Sequence, residues 1–206
     1  MIDPTSLAVS AMAFFIVAVS PGPANISNAA VAMSFGRKTS LIYGAGLSCG
    51  LVFWGLVAAS GMGAVLQGSV YVLMALKVLG GLYLFWLALQ SGRSAAQSEA
   101  DEMALPDKGR WFWRGLVLNL SNPKSVIAWM AALSMGLGPD DGVVSVAAAT
   151  LVCMAAGFAN NALYSIIFSV SGMMAGYRRF RRWIDGFVAG LFAVAGLGLI
   201  KSAFSR

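Results

Sequence analysis

Residues 5–35 read TSLAVSAMAFFIVAVSPGPANISNAAVAMSF, an uncharged and largely apolar run with Ser20-Pro21-Gly22-Pro23 set in its middle. A helix needs roughly 20 predominantly apolar residues to cross about 30 Å of hydrocarbon, so this run predicts a membrane span interrupted near its centre. Proline has no backbone N–H and frees a carbonyl of the preceding turn. In hydrocarbon such groups are costly unless other protein groups or water reach them, so a broken span predicts a cavity beside the break. The pattern returns a hundred residues on: residues 115–137 read GLVLNLSNPKSVIAWMAALSMGL, broken at Asn122-Pro123.

Four further runs of spanning length lie between charge or turn clusters, at residues 41–66, 70–89, 143–170 and 184–204. The composition agrees, with 59% hydrophobic residues, 11% charged and a mean hydropathy of +0.78; a soluble chain this apolar would lack the polar surface to cover itself. The net charge of +6 comes from short clusters between the runs, which reads as loops facing cytosol and anionic lipid and not as a nucleic-acid surface. Arg37-Lys38, the segment 90–114 and the cluster Arg178, Arg179, Arg181 and Arg182 hold ten of the 14 Lys and Arg; Lys201 and Arg206 lie in the tail, and Lys77 and Lys124 fall inside spans. The positive-inside rule then predicts a multi-pass protein of the bacterial cytoplasmic (inner) membrane with the 90–114 segment inside and both termini periplasmic. Residues 7–19 have the length of a signal-peptide core, but Asp3 precedes them and Pro21 and Pro23 occupy the cleavage region, so the segment is expected to be retained.

Three spans in each half force a duplicated unit to enter the membrane in opposite directions, an arrangement many secondary transporters use. Setting Pro23 against Pro123 also aligns Ala32 with Ala132, Ser34 with Ser134 and Gly36 with Gly136. The expected fold is an all-α integral membrane protein: one transmembrane domain over residues 1–206, with six transmembrane helices as two inverted three-helix repeats and helices 1 and 4 broken at the proline motifs. The repeats cover about 5–89 and about 115–206, joined by a flexible, polar cytoplasmic linker that carries Glu99, Asp101, Glu102 and Asp107.

Paired breaks at matched positions are expected to face one cavity near the bilayer midplane. The candidate substrate-binding residues are Pro21, Gly22, Pro23, Asn25 and Asn28 at the first break and Asn119, Asn122, Pro123 and Lys124 at the second, with Asn160 and Asn161 from the fifth span. Lys124 follows its break where a helix N-terminus already makes the potential positive, so it suits an anionic group. Lys77, about a third of the way into its span, either snorkels to the interface or faces the cavity as a second cation. Asn160, Asn161 and Ser48 serve equally well as interhelical hydrogen-bonding groups, and the pairs Gly46-x-x-x-Gly50 and Gly186-x-x-x-Gly190 read as close-packing faces.

The chain has no histidine and two cysteines, Cys49 and Cys153, each within an apolar run. General acid–base chemistry and metal ligation are thereby disfavoured, no disulfide or redox motif is indicated, and no cofactor or metal is expected. An intramembrane enzyme would need a Ser-Lys pair built on Lys77 or Lys124. A metal or ion permease of related architecture remains the main alternative, although it would want His, Cys or carboxylate clusters. Seven of the eight carboxylates lie in loops or termini, and Asp185 stands beside the arginine cluster. A neutral or hydrophobic amino acid therefore fits better than a cationic one.

Ser20-Pro21-Gly22-Pro23-Ala24-Asn25, then Gly36-Arg37-Lys38 and Gly44, Gly46 and Gly50, resemble the N-terminal signature of the LysE/RhtB family of bacterial amino-acid exporters. Lys77, Gly80, Gly81, Tyr83 and Leu84 look like that family's third-helix motif, and Phe112, Gly115 and Asn119 leading into Asn122-Pro123-Lys124 look like its fourth. The resemblance covers nearly the whole chain. It implies efflux of amino acids or related metabolites driven by the proton motive force, without ATP or a prosthetic group. Partners would be a small amino-acid-like substrate and membrane lipid, with homo-oligomerisation left open. Where many relatives carry Pro-x-Phe this chain has Ser134-Met135-Gly136, so no subfamily is assigned.

Overall fold

A computed structural model of the chain describes residues 3–68, 70–97, 109–138 and 141–204. Among them every regular element is a helix: α1 (Pro4–Val19), α2 (Pro23–Gly68), α3 (Val70–Ala96), α4 (Trp111–Leu120), α5 (Pro123–Gly136), α6 (Val143–Ile167) and α7 (Met173–Phe204). Among the described residues three stretches are long and apolar enough to cross a membrane, Pro23–Gly61, Val143–Ile167 and Arg179–Phe204.

The helix ends follow from local chemistry. Asp3 caps α1 by accepting from the amides of Thr5 and Ser6, each at 3.1 Å, and Pro4 takes the first turn, where a missing N–H costs nothing. Asn122 caps α5 in the same way through the Lys124 amide at 3.1 Å, with Pro123 next in line. Both breaks fall where the prolines predict: α1 stops at Val19 and α2 starts at Pro23, while α4 stops at Leu120 and α5 starts at Pro123. Gly36, at φ 81°, interrupts α2 and divides it into residues 23–35 and 37–68. Two short helices thus open at Pro23 and Pro123 and close at Gly36 and Gly136.

Several expected boundaries shift. Arg37 and Lys38 are not in a loop; Gly36 alone supplies the pivot and the helix resumes at once. The arginine cluster is also helical, because Gly172 at φ 84° makes the turn and α7 then runs from Met173 through the arginines. Charge does not break a helix, and arginine is a good helix former. The run at 143–170 is helical only to Ile167, α4 begins at Trp111, and α3 continues to Ala96, which takes its end into the expected linker. The acidic residues at 99–107, and Pro139 and Asp140, lie outside the described residues.

Packing brings the two breaks together. The aromatic pair Phe14 and Trp129, with ring centroids 4.6 Å apart, joins α1 to α5, and Ala149 and Cys153 of α6 complete that cluster. A second cluster seats Val17 and Ala131 on Leu84 of α3 and Phe192 and Leu199 of α7. Small residues allow the helix axes to approach: α4 meets α2 at Gly46 and Gly115, and α7 meets α3 at Gly81 and Gly196. Gly186 and Gly190 do not form the expected packing face, since open space lies beside both. They sit on a side of α7 that α3 does not cover. Within α7, buried Asp185 accepts from Ser94 at 2.7 Å and pairs with Arg181 at 3.4 Å, which ties α7 to the end of α3.

Candidate functional site

Because Pro21 and Pro23 cannot donate, the last carbonyls of α1 have no amide partners ahead of them in the chain. Side chains take over. The Ser20 hydroxyl donates to Val17 O at 2.7 Å, Asn25 Nδ2 to Ala18 O at 2.6 Å and to Ser20 O at 2.9 Å, and the Tyr164 hydroxyl to Val19 O at 2.9 Å. The final donor crosses from the other break. Lys124 Nζ donates to Ser20 O at 3.0 Å and also bonds the Ser20 hydroxyl. A cation on the carbonyl end of a helix also complements the helix dipole. The two breaks are therefore in direct contact, and Lys124 is the bolt between them.

Gly22 makes this crossing feasible, since a Cβ there would lie 2.9 Å from Lys124 Nζ and 3.3 Å from its Cδ. Asn160 Nδ2 donates to Asn25 Oδ1 at 3.1 Å and so holds the amide that serves α1. A second network lies one turn further along. Asn28 Nδ2 donates to Asn161 O at 2.9 Å and the Ser40 hydroxyl to Asn28 Oδ1 at 2.8 Å, while Asn161 Nδ2 donates to Ser48 Oγ at 2.9 Å. These bonds satisfy buried amides and lock α2 to α6.

Beside the bolt is a cavity of about 60 Å³. On that measure it has room for about four waters, which suits a small solute. Of the sequence candidates, Gly22, Asn25, Asn119, Asn122, Lys124, Asn160 and Asn161 line it. Pro21, Pro23, Asn28, Lys77 and Pro123 do not. Pro23 and Pro123 are exposed, so the prolines shape the site by the donors they lack. Asn28 belongs to the locking network, and Lys77 is a partly buried residue of α3 away from the cavity. Asn119 lines this space, and its Oδ1 is buried with no hydrogen-bond partner among the described residues.

Sequence reasoning missed Ser20 as the receiver of Lys124, Tyr164 as a cap, and the apolar walls Phe14, Leu51, Trp129 and Gly157. Part of this was within reach. Asn122, Ser125 and Trp129 recur at helical spacing on one face, as do Gly157 and Asn160. Phe14 and Leu51, by contrast, carry no local mark that separates them from other apolar residues of a span.

The family model described as LysE type translocator matches residues 15–203. The threonine efflux protein of Escherichia coli (strain K12) is 31% identical over 197 residues, covering 93% of this chain and 96% of the relative. The threonine efflux protein of Salmonella typhimurium is 32% identical over the same coverage. The homoserine/homoserine lactone efflux protein of Salmonella typhimurium is 31% identical over 119 residues, 57% of each chain. No solved structure matches.

Proposed function

The chain belongs to the LysE type translocator family, and from that premise we propose that it is a secondary-active exporter of amino acids or amino-acid-like metabolites in the bacterial cytoplasmic membrane. The substrates are neutral or hydrophobic in side chain and the proton motive force drives the cycle. The relatives named for threonine and homoserine efflux support the substrate class. The observation that carries the reading is the asymmetry of the central cavity: one ammonium group, several neutral amides and no carboxylate among the residues that line it. A zwitterion fits there. Its carboxylate would take over Lys124 Nζ from Ser20, and Asn119 Oδ1, the buried acceptor without a partner, would receive its α-ammonium.

Such an exchange couples binding to motion. While Lys124 holds Ser20 the two breaks are bolted, and a carboxylate competing for the same amine releases the end of α1. The six-span arrangement as two inverted repeats is the frame for this. It is supported by the matched helices 23–35 and Pro123–Gly136 and by the pairings of α1 with α5 and α2 with α4, which the repeat would interchange. Rocking of one repeat against the other would expose the cavity to each side in turn.

Cells that make the protein should release small neutral amino acids faster than cells that lack it. A panel showing no difference for any amino acid overturns the reading. Orientation has its own check: with the linker cytoplasmic and both termini periplasmic, a cysteine in place of Ser98 should resist an impermeant thiol reagent added to intact cells. Labelling there would reverse the orientation.

A further inference from the structure

A second hollow of about 710 Å³ runs along the outer side of α4, apart from the cavity at the breaks. Its α4 wall is a stripe of Arg114, Val117 and Leu118 at helical spacing, flanked by Arg110 just before the helix and Ser121 just after it, with Trp113 at its edge. Ser27 and Tyr43 of α2 face the stripe, and their hydroxyls bond each other at 2.8 Å. Both arginines stand at one end. Ser121 adjoins the α4–α5 break at the other, about 16 Å away by helical rise, which is about the depth of one leaflet of a hydrocarbon layer roughly 30 Å thick. Trp113 and Val117 are each 58% exposed, so the groove opens sideways along its length.

The geometry points to a binding site for one anionic phospholipid, its phosphate on Arg110 and Arg114 and one acyl chain laid along Val117 and Leu118 toward the break. The inference rests on the membrane placement proposed above, and not on transport. Guanidinium groups match phosphate oxygens in a bidentate way, basic pockets between membrane helices select anionic headgroups, and tryptophan favours the headgroup level. The Ser27 and Tyr43 hydroxyls already satisfy each other, so they can border an acyl chain without an unpaired group. A free phosphate would use the arginines and leave the apolar length idle. An amino acid would find one wall open to hydrocarbon.

The test offers purified protein in neutral detergent an equal mixture of phosphatidylglycerol and phosphatidylcholine with the same acyl chains, and reads the retained lipid by native mass spectrometry. Phosphatidylglycerol should be favoured about thirtyfold, each arginine contributing several-fold. Arg110→Gln with Arg114→Gln should erase the preference, whereas Arg37→Gln with Lys38→Gln, which removes the same charge from an exposed site elsewhere, should keep it. Val117→Trp fills the groove, leaves both arginines in place and should lower retention of both lipids. Unchanged preference in the Arg110/Arg114 pair overturns the proposal, as does unchanged retention in Val117→Trp. Displacement of the lipid by millimolar inorganic phosphate would assign the arginines to a free anion instead, and displacement by threonine would assign the groove to the transport path. Parental protein that shows no lipid selectivity but intact efflux rejects this site alone; parental protein that shows the selectivity but no efflux rejects the exporter reading alone.

Discussion

Lys124→Met should lower the initial rate of amino-acid efflux by about tenfold to a hundredfold while the protein inserts at the parental level. The loss is that of one charge-assisted hydrogen bond to the substrate carboxylate, worth about 1.5–3 kcal/mol. The fold should survive because Ser20 O keeps its bond from Asn25 Nδ2 at 2.9 Å, so no carbonyl at the end of α1 is orphaned. Methionine retains the length and apolar stem of lysine. Lys124→Arg keeps the charge but spreads it over a planar fork, in a passage where even a Cβ on Gly22 would reach 2.9 Å from Nζ, and should recover only part of the rate. Gly22→Ala should act in the same direction, displacing the amine from Ser20 with little loss of protein. Parental transport by Lys124→Met would assign the lysine to bolting alone and leave carboxylate recognition to the amides.

Gly46→Ala and Gly115→Ala should each remove most of the folded protein. A Cβ at Gly46 would stand 1.9 Å from Phe112 O, and one at Gly115 would stand 2.1 Å from Tyr43 O. Both obstacles are backbone atoms, so no side chain can swing aside and the α2–α4 axes must part by more than an ångström. Overpacking of a tight core costs about 1–3 kcal/mol and occasionally more, and loss of this contact also moves Asn119, whose Cβ lies 2.7 Å from a Cβ built at Gly50. Thermal melting of detergent-solubilised protein reads the effect. The double variant should melt little below the worse single one, because the first methyl group has already separated the helices. Gly190→Ala, with open space beside it, should melt like the parent. A parental melting temperature for Gly46→Ala would mean that α4 does not press on α2 in this way.

The breaks were legible in the sequence because proline acts through a missing N–H, a property of the residue itself. Pro23 and Pro123 therefore marked the starts of α2 and α5, and Asn122 and Lys124 were recognisable from their places beside them. What depends on the partner across the gap was not legible. Nothing local says that Lys124 reaches Ser20, that Tyr164 caps Val19, or that Lys77 lies away from the cavity. The glycine pairs show the same division. Gly46 and Gly186 sit in identical spacing patterns, yet one is pressed against backbone and the other faces open space, a difference set by which face of each helix another helix covers. Charge misled at the boundaries, since Arg37, Lys38 and the arginines of α7 lie within helices and end none.

Vesicles containing only the purified protein, loaded with labelled threonine and then exposed to an acidic exterior, test the central claim most directly, because no other carrier is present. Threonine should leave faster than from protein-free vesicles, faster still with the pH gradient than without it, and at near-background rate when the vesicles carry Lys124→Met. Release from parental vesicles no faster than from protein-free ones, for threonine and for every other neutral amino acid tried, would contradict the assignment of the cavity at the two breaks to amino-acid export.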